Sequence, residues 1–114
     1  MKYEILEIGE TKLPVRFGFN ALRKYSMKTG TTMAELDKLG NGQITFNEAF
    51  TLIYCGIEDG HRAAKQSFTM SLDEITDLFD GNMDCMEKAF EILSRSISSG
   101  SETGKQKAKK KRKS

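Results

Sequence analysis

The sequence LPVRFGFNALRKY, residues 13–25, decides the fold, because the spacing of its apolar residues changes from strand-like to helical. Four apolar residues alternate with other residues, namely Leu13, Val15, Phe17 and Phe19. This period of two predicts a strand with one buried face. From Phe19 onward the period is helical. We expect a helix of about ten residues that ends at Thr29-Gly30, where glycine suits the C-terminal cap.

A β-hairpin is predicted at the N-terminus. Tyr3 to Ile8 form a β-rich run, and Gly9 to Lys12 supply a turn into the strand around Pro14. Proline cannot donate a ladder hydrogen bond, so this strand should have a free side at Pro14. Two strands alone are marginally stable, and we therefore expect helices to cover the apolar face of the hairpin.

Two capping boxes mark the starts of further helices. The first runs from Thr45 to Glu48, and the second runs from Ser71 to Glu74. The first precedes the strongest helical pattern in the chain, which consists of Phe46, Ala49, Phe50, Ile53, Tyr54 and Ile57. The second helix should end near Gly81, and a polar loop of about ten residues around Gln66 should join the two.

Two weaker helical segments complete the pattern. Thr31-Thr32 can cap a brief helical piece that passes through Met33, Leu36 and Leu39. Asn82 can cap the last helix, whose apolar seam has the spacing of heptad positions a and d. The seam consists of Met83, Met86, Phe90, Leu93 and Ile97.

The seam has two interpretations. A stripe of this kind more often belongs to the core of a small domain. Methionine, however, adapts to different apolar partners, which favours a binding surface. These five residues are our candidate partner-binding residues.

The fold class predicted is α+β and mostly α, with the N-terminal hairpin packed on about four or five short helices. Residues 1–99 should form a single domain and residues 100–114 a disordered basic tail.

Residues 1–100 carry 11 Lys/Arg against 15 Asp/Glu, whereas residues 101–114 carry 7 against 1. An acidic domain disfavours nucleic-acid binding across its folded surface, so only the tail could bind nucleic acid. The tail could also be a nuclear signal, but a solubilising end is the interpretation that we favour.

No residue pattern indicates catalysis or a cofactor, and we expect no metal site, although one segment resembles a calcium loop. Cys55 and Cys85 lie in helical segments without a CxxC spacing, and we interpret them as buried free thiols. His61 is the single histidine and is predicted on a surface loop, without a nucleophile to pair with. The start of the chain lacks the apolar stretch of a signal peptide, and no window is apolar enough for a membrane span.

Residues 37–48 resemble the calcium loop of an EF-hand. Asp37, Asn41, Gly42 and Glu48 match its spacing, whereas Leu39 stands where an oxygen ligand is required. The helix that should enter the loop is also interrupted. We interpret the segment as a turn into a capped helix, with a calcium-binding module as the alternative.

The hairpin, the run from Pro14 to Tyr25 and the stop at Thr29-Gly30 together resemble the tail assembly chaperones of long-tailed bacteriophages. The segments 49–57 and 68–75 are similar to the middle portion of that family. The resemblance implies a protein of the host bacterial cytoplasm that binds the tape measure protein, keeps it soluble during tail tube assembly, and is absent from the mature virion. The major tail tube protein and a second copy of the chain are further partners that it leaves open. The calcium-binding module and a nucleic-acid-associated protein acting through the tail are the alternative functions.

Overall fold

The computed structural model describes residues 2–35, 38 and 43–104, and the side chains as far as Ser96. It confirms a mostly helical fold with an N-terminal hairpin. In chain order the elements are β1 (Glu4–Ile8), β2 (Thr11–Val15), α1 (Phe19–Thr29), a 3₁₀ turn (Met33–Glu35), α2 (Phe46–Ala63), α3 (Leu72–Leu78) and α4 (Asp84–Gly104).

The hairpin is antiparallel and turns in two residues. Ile8 pairs with Thr11, so Gly9 and Glu10 form the turn, and Gly9 has a φ of 62°, which favours glycine. Pro14 lies opposite Ile5, and β2 pairs with β1 alone in the described part of the chain. The prediction of a free side on β2 is therefore confirmed.

The apolar face of the hairpin forms one wall of the core. Its buried residues are Leu6, Ile8, Leu13, Val15 and Phe17. The alternating pattern correctly predicted that Leu13, Val15 and Phe17 are buried. It was wrong for Phe19, whose side chain is exposed. The reason is that β2 ends at Val15 and α1 begins at Phe19, so the period of two no longer determines which side Phe19 takes.

Helix α2 lies against the edge of β2 that has no strand partner. The Arg16 amide donates a hydrogen bond of 2.9 Å to the carbonyl of Gly56. A Cβ atom on Gly60 would lie 2.3 Å from the Pro14 carbonyl carbon, and one on Gly56 would lie 2.4 Å from the Phe17 ring. The two glycines, one helical turn apart, therefore allow a close approach of helix and strand.

A buried carboxylate strengthens this contact. The Asp59 side chain is only 1% exposed, and its Oδ2 lies 2.9 Å from Arg16 Nη1. Its Oδ1 lies 2.8 Å from Arg62 Nη2. Asp59 therefore links the residue that follows β2 to the last turn of α2.

Helix α2 is longer than the sequence predicted. It continues past Ile57 to Ala63, and so it includes Asp59, Gly60 and His61, which are all buried. The prediction of a surface loop for His61 is wrong: its Nδ1 lies 2.8 Å from the carbonyl oxygen of Ile57, and its ring packs against Phe68. Glycine weakens a helix locally, but the close contact with β2 and the ion pairs of Asp59 stabilise this end.

Both predicted capping boxes are present. The Thr45 hydroxyl accepts a hydrogen bond from the Glu48 amide, and the Glu48 carboxylate accepts one from the Thr45 amide. Ser71 and Glu74 make the same pair of hydrogen bonds at the start of α3. The predicted cap at Gly30 is also present, with a φ of 78°.

We expect Thr45→Ala to lower the free energy of unfolding by about 1 kcal/mol, because the Glu48 amide loses its hydrogen-bond acceptor. Urea unfolding followed by circular dichroism measures the change. Thr69→Ala, at an exposed position outside the helices, is the matched control and should change the free energy by less than about 0.5 kcal/mol. Equal effects of the two substitutions would contradict the capping role.

Helix α4 packs along β1. The Cys85 thiol donates to the Glu7 carbonyl at 3.3 Å, and Arg95 Nη2 lies 2.6 Å from Glu4 Oε1. The Asn82 side chain does not cap α4 as predicted. Its amide donates a hydrogen bond instead to the carbonyl of Leu78, the last residue of α3, and so gives that helix-terminal carbonyl a partner.

The backbone of α4 continues to Gly104, so residues 100–104, which the sequence placed in the tail, are helical. Residues 105–114, the remainder of the predicted basic tail, lie outside the described residues. In the described part of the chain, no helix is both long and apolar enough to cross a membrane.

Both cysteines are buried free thiols, as predicted. Burial raises the pKa of Cys55 from 9.0 to about 11. The thiol therefore stays protonated at neutral pH and is a weak nucleophile.

Candidate protein-binding groove

Helix α1 has one buried and one exposed face, and both faces carry apolar residues. Ala21 and Tyr25 are buried in the core that α1 forms with α2. On the opposite side Phe19 is 85% exposed and Met27 is 74% exposed. Met33, in the 3₁₀ turn, is 83% exposed. An apolar surface of this kind is typical of a binding site.

These side chains line a groove of about 450 Å³, which we call the α1 groove. It lies between α1 and the segment that leads into the 3₁₀ turn. Its lining residues are Phe19, Asn20, Leu22, Arg23, Tyr25, Ser26, Met27, Thr31, Thr32 and Met33. Mostly apolar concave surfaces with a few polar groups are typical of ligand-binding and peptide-binding sites.

Hydrogen bonds hold the two sides of the α1 groove together. The Ser26 hydroxyl donates to the Thr31 carbonyl at 2.6 Å, and the Thr31 amide donates to the Thr29 hydroxyl at 3.3 Å. Gly30, in the left-handed conformation, reverses the chain between them. The Glu35 carboxylate accepts from the Thr32 amide at 2.9 Å and so fixes the 3₁₀ turn. The groove is therefore formed without a partner.

Among the described residues, Arg23 is the one charged residue in the lining of the α1 groove. Its Nη1 lies 3.5 Å from the Met27 sulfur, and its Nε lies 3.4 Å from Asn20 Oδ1. Within the described residues it makes no ion pair, in contrast to Lys24 on the same helix, which pairs with Glu58 at 3.5 Å. The α1 groove therefore presents an uncompensated positive charge among apolar side chains.

Tyr25 forms part of the inner wall of the α1 groove. Its hydroxyl is the one buried side-chain oxygen or nitrogen without a hydrogen-bond partner in the described part of the chain. Burial raises the pKa of Tyr25, while the nearby hydroxyls of Thr31 and Thr29 oppose this rise. The phenol therefore remains neutral at physiological pH.

We expect Tyr25→Phe to raise the free energy of unfolding by about 1 kcal/mol, because it removes a buried polar group that lacks a partner. Urea unfolding measures the change, and Tyr54→Phe, at a half-buried position, is the control. A loss of stability in Tyr25→Phe would contradict this account of the hydroxyl.

The candidate seam of α4 does not form one surface. Leu93 is buried in the core, where a partner does not reach it in this conformation. Met86 and Phe90 are half-buried against the core, and Met83 is exposed. Ile97 lies beyond the described side chains.

The buried face of α4 is turned by about one residue position from the predicted seam, so the seam borders the core and shares only Leu93 with its fully buried residues. The residues of α4 that are buried are Cys85, Ala89, Ile92 and Leu93. The shallow surface beside Phe90 is bordered by Glu87, Glu91 and Arg95, and it is therefore less apolar than the α1 groove.

The calcium-like segment is only partly described. Asp37, Leu39, Asn41 and Gly42 lie outside the described residues. Glu48 stands at the position of the bidentate ligand, and one of its carboxylate oxygens accepts a hydrogen bond from the Thr45 amide. Among the described residues, no group of three or more His, Cys, Asp or Glu side chains is placed to hold a metal ion.

The sequence contained a weak signal for the α1 groove. Phe19, Leu22 and Met27 cover more of the helix surface than one buried stripe requires. Phe19 was assigned to the buried face of the strand, and this assignment hid the signal.

Comparison of the chain with protein-family models, curated proteins and solved structures found no match.

Proposed function

We propose that this chain is a tail assembly chaperone of a long-tailed bacteriophage or prophage, which binds the tape measure protein through the α1 groove. The observation that supports the proposal is the exposed apolar lining of that groove, which includes Phe19, Met27 and Met33. The work of such a chaperone takes place in the cytoplasm of the host bacterium, before the tail is complete.

The α1 groove suits a helical partner. An amphipathic helix can lay its apolar stripe into a hydrophobic groove, with anchor residues at positions i, i+3, i+4 and i+7. A tape measure protein is long and helical, and it exposes apolar surface until the tail tube covers it. Methionine side chains adapt to different apolar partners, so the same groove can accept many segments of one long protein.

The charge of the domain suits the same task. Residues 1–100 have a net negative charge, which keeps a coated complex soluble through mutual repulsion. One groove of this size buries little surface, so we expect each contact to be weak and many copies to bind along one tape measure protein.

The test is the solubility of the tape measure protein from the same phage or prophage. We expect co-expression with the wild-type chain to keep it in the soluble fraction. Phe19→Ser/Met27→Ser should return most of it to the insoluble fraction, because these substitutions remove exposed apolar contacts without disturbing the core.

The matched control is Phe46→Ser/Met83→Ser, which replaces the same residue types at positions that are 75% and 63% exposed and lie outside the α1 groove. The control should preserve solubility. It also tests Met83, which the sequence predicted as a partner contact. A tape measure protein that stays insoluble with the wild-type chain would contradict the proposed function.

A further inference from the structure

We infer that the α1 groove binds an amphipathic helix that carries carboxylates beside its apolar stripe, and that Arg23 recognises this negative charge. The inference rests on the proposed function, which makes the groove a protein-binding site, and it specifies the chemistry of the segment that the groove accepts.

The first observation is the charge of the groove. Its ten lining residues in the described part of the chain include one positive side chain, Arg23, and no acidic side chain. Helix α1 also carries Lys24 and Lys28 and has no acidic residue, although residues 1–100 as a whole are acidic. Lys24 is paired with Glu58, and Glu35, beside Thr32, is paired with Lys38, so within the described residues Arg23 is the charge at the groove that has no ion-pair partner.

The second observation is the environment of Arg23. Within the described residues its guanidinium group contacts only the neutral Asn20 amide oxygen, through Nε and Nη2 at 3.4 Å, and the Met27 thioether, through Nη1 at 3.5 Å. Nη1 and Nη2 each keep a second N–H, and these two donors can form a bidentate pair with a carboxylate. An apolar surface next to an available arginine is also the composition found at the centres of protein interfaces.

A carboxylate on the partner would gain a charge-assisted hydrogen bond at this position, whereas a lysine would be repelled. Charge complementarity of this kind gives specificity rather than overall affinity. The α1 groove therefore selects acidic amphipathic segments from among the apolar helices that it could otherwise accept.

The experiment uses two synthetic helical peptides of equal length with leucines at positions i, i+3, i+4 and i+7. One carries glutamates on both sides of the leucine stripe, and the other carries lysines there. Fluorescence anisotropy measures the Kd of each for the full-length chain. The glutamate peptide should bind about tenfold more tightly than the lysine peptide at low salt, and the preference should shrink as salt rises.

Arg23→Glu should reverse the preference for the glutamate peptide, while Lys88→Glu should leave it unchanged. Lys88 is exposed on α4 and outside the groove, so this control makes the same change in net charge. Equal binding of the two peptides, no binding of either, or equal effects of the two substitutions would overturn the inference. A wild-type dimer that Phe19→Ser dissociates would also overturn it, since a second copy would then occupy the groove.

The outcomes separate this inference from the proposed function. A tape measure protein kept soluble equally well by the wild-type chain and by Arg23→Glu contradicts the charge preference alone. A tape measure protein that the wild-type chain leaves insoluble, together with selective binding of the glutamate peptide, contradicts the proposed function alone.

Discussion

Gly60→Ala should lower the free energy of unfolding by about 3 kcal/mol, because the added methyl group overlaps backbone atoms. The new Cβ would lie 2.3 Å from both the carbonyl carbon and the carbonyl oxygen of Pro14, and 2.4 Å from the Val15 nitrogen. Backbone atoms cannot rotate away, so α2 and β2 must separate. The same substitution in an exposed helix would instead stabilise by about 1 kcal/mol.

Urea unfolding of three variants tests this expectation. Gly56→Ala should cost less than Gly60→Ala, because its methyl group meets the edge of the Phe17 ring, which can shift. Lys88→Ala, at an exposed helical position, should change the free energy by less than about 0.5 kcal/mol. Stabilisation by Gly60→Ala would refute the close packing of α2 on β2.

Asp59→Asn should lower the free energy of unfolding by about 2 kcal/mol. The carboxylate is almost fully buried between Arg16 and Arg62, and asparagine preserves its size but not its charge. Breaking a buried ion pair is strongly destabilising, but here both arginines are partly exposed and can regain water. The expected loss is therefore smaller than for a fully buried pair.

Glu58→Gln is the matched control, since Glu58 is adjacent in sequence and also pairs with a cation, Lys24, at 3.5 Å. Both partners of that pair are about one-third exposed, so the loss should be below about 0.5 kcal/mol. Equal losses in the two variants, measured by urea unfolding, would show that burial does not distinguish the two ion pairs.

Local patterns in the sequence predicted the elements whose signals are themselves local. The hairpin, the capping boxes at Thr45 and Ser71, and the glycine cap at Gly30 depend on residues within one or two turns of each other. The C-terminal part of α2 depends on contacts between distant residues. Gly56 and Gly60 resemble helix-weakening residues until β2 is placed against them.

The candidate binding site was harder to predict than the fold, for a related reason. An exposed apolar residue and a buried one have the same identity in the sequence, and periodicity alone assigns both to the core. Phe19 was therefore placed inside and Leu93 was proposed as a contact, whereas in the structure Phe19 is exposed and Leu93 is buried. Only the packing of α1 against α2 shows which apolar residues remain uncovered.

Methionine methyl NMR tests the central claim most directly, because the chain has six methionines and both candidate surfaces contain them. Met27 and Met33 lie in the α1 groove, Met83 directly precedes α4, Met86 lies in α4, and Met70 is a half-buried reference outside both. On addition of the tape measure protein, the Met27 and Met33 methyl signals should shift or broaden while those of Met83 and Met86 stay unchanged. Changes confined to Met83 and Met86 would contradict the assignment of the α1 groove as the binding site.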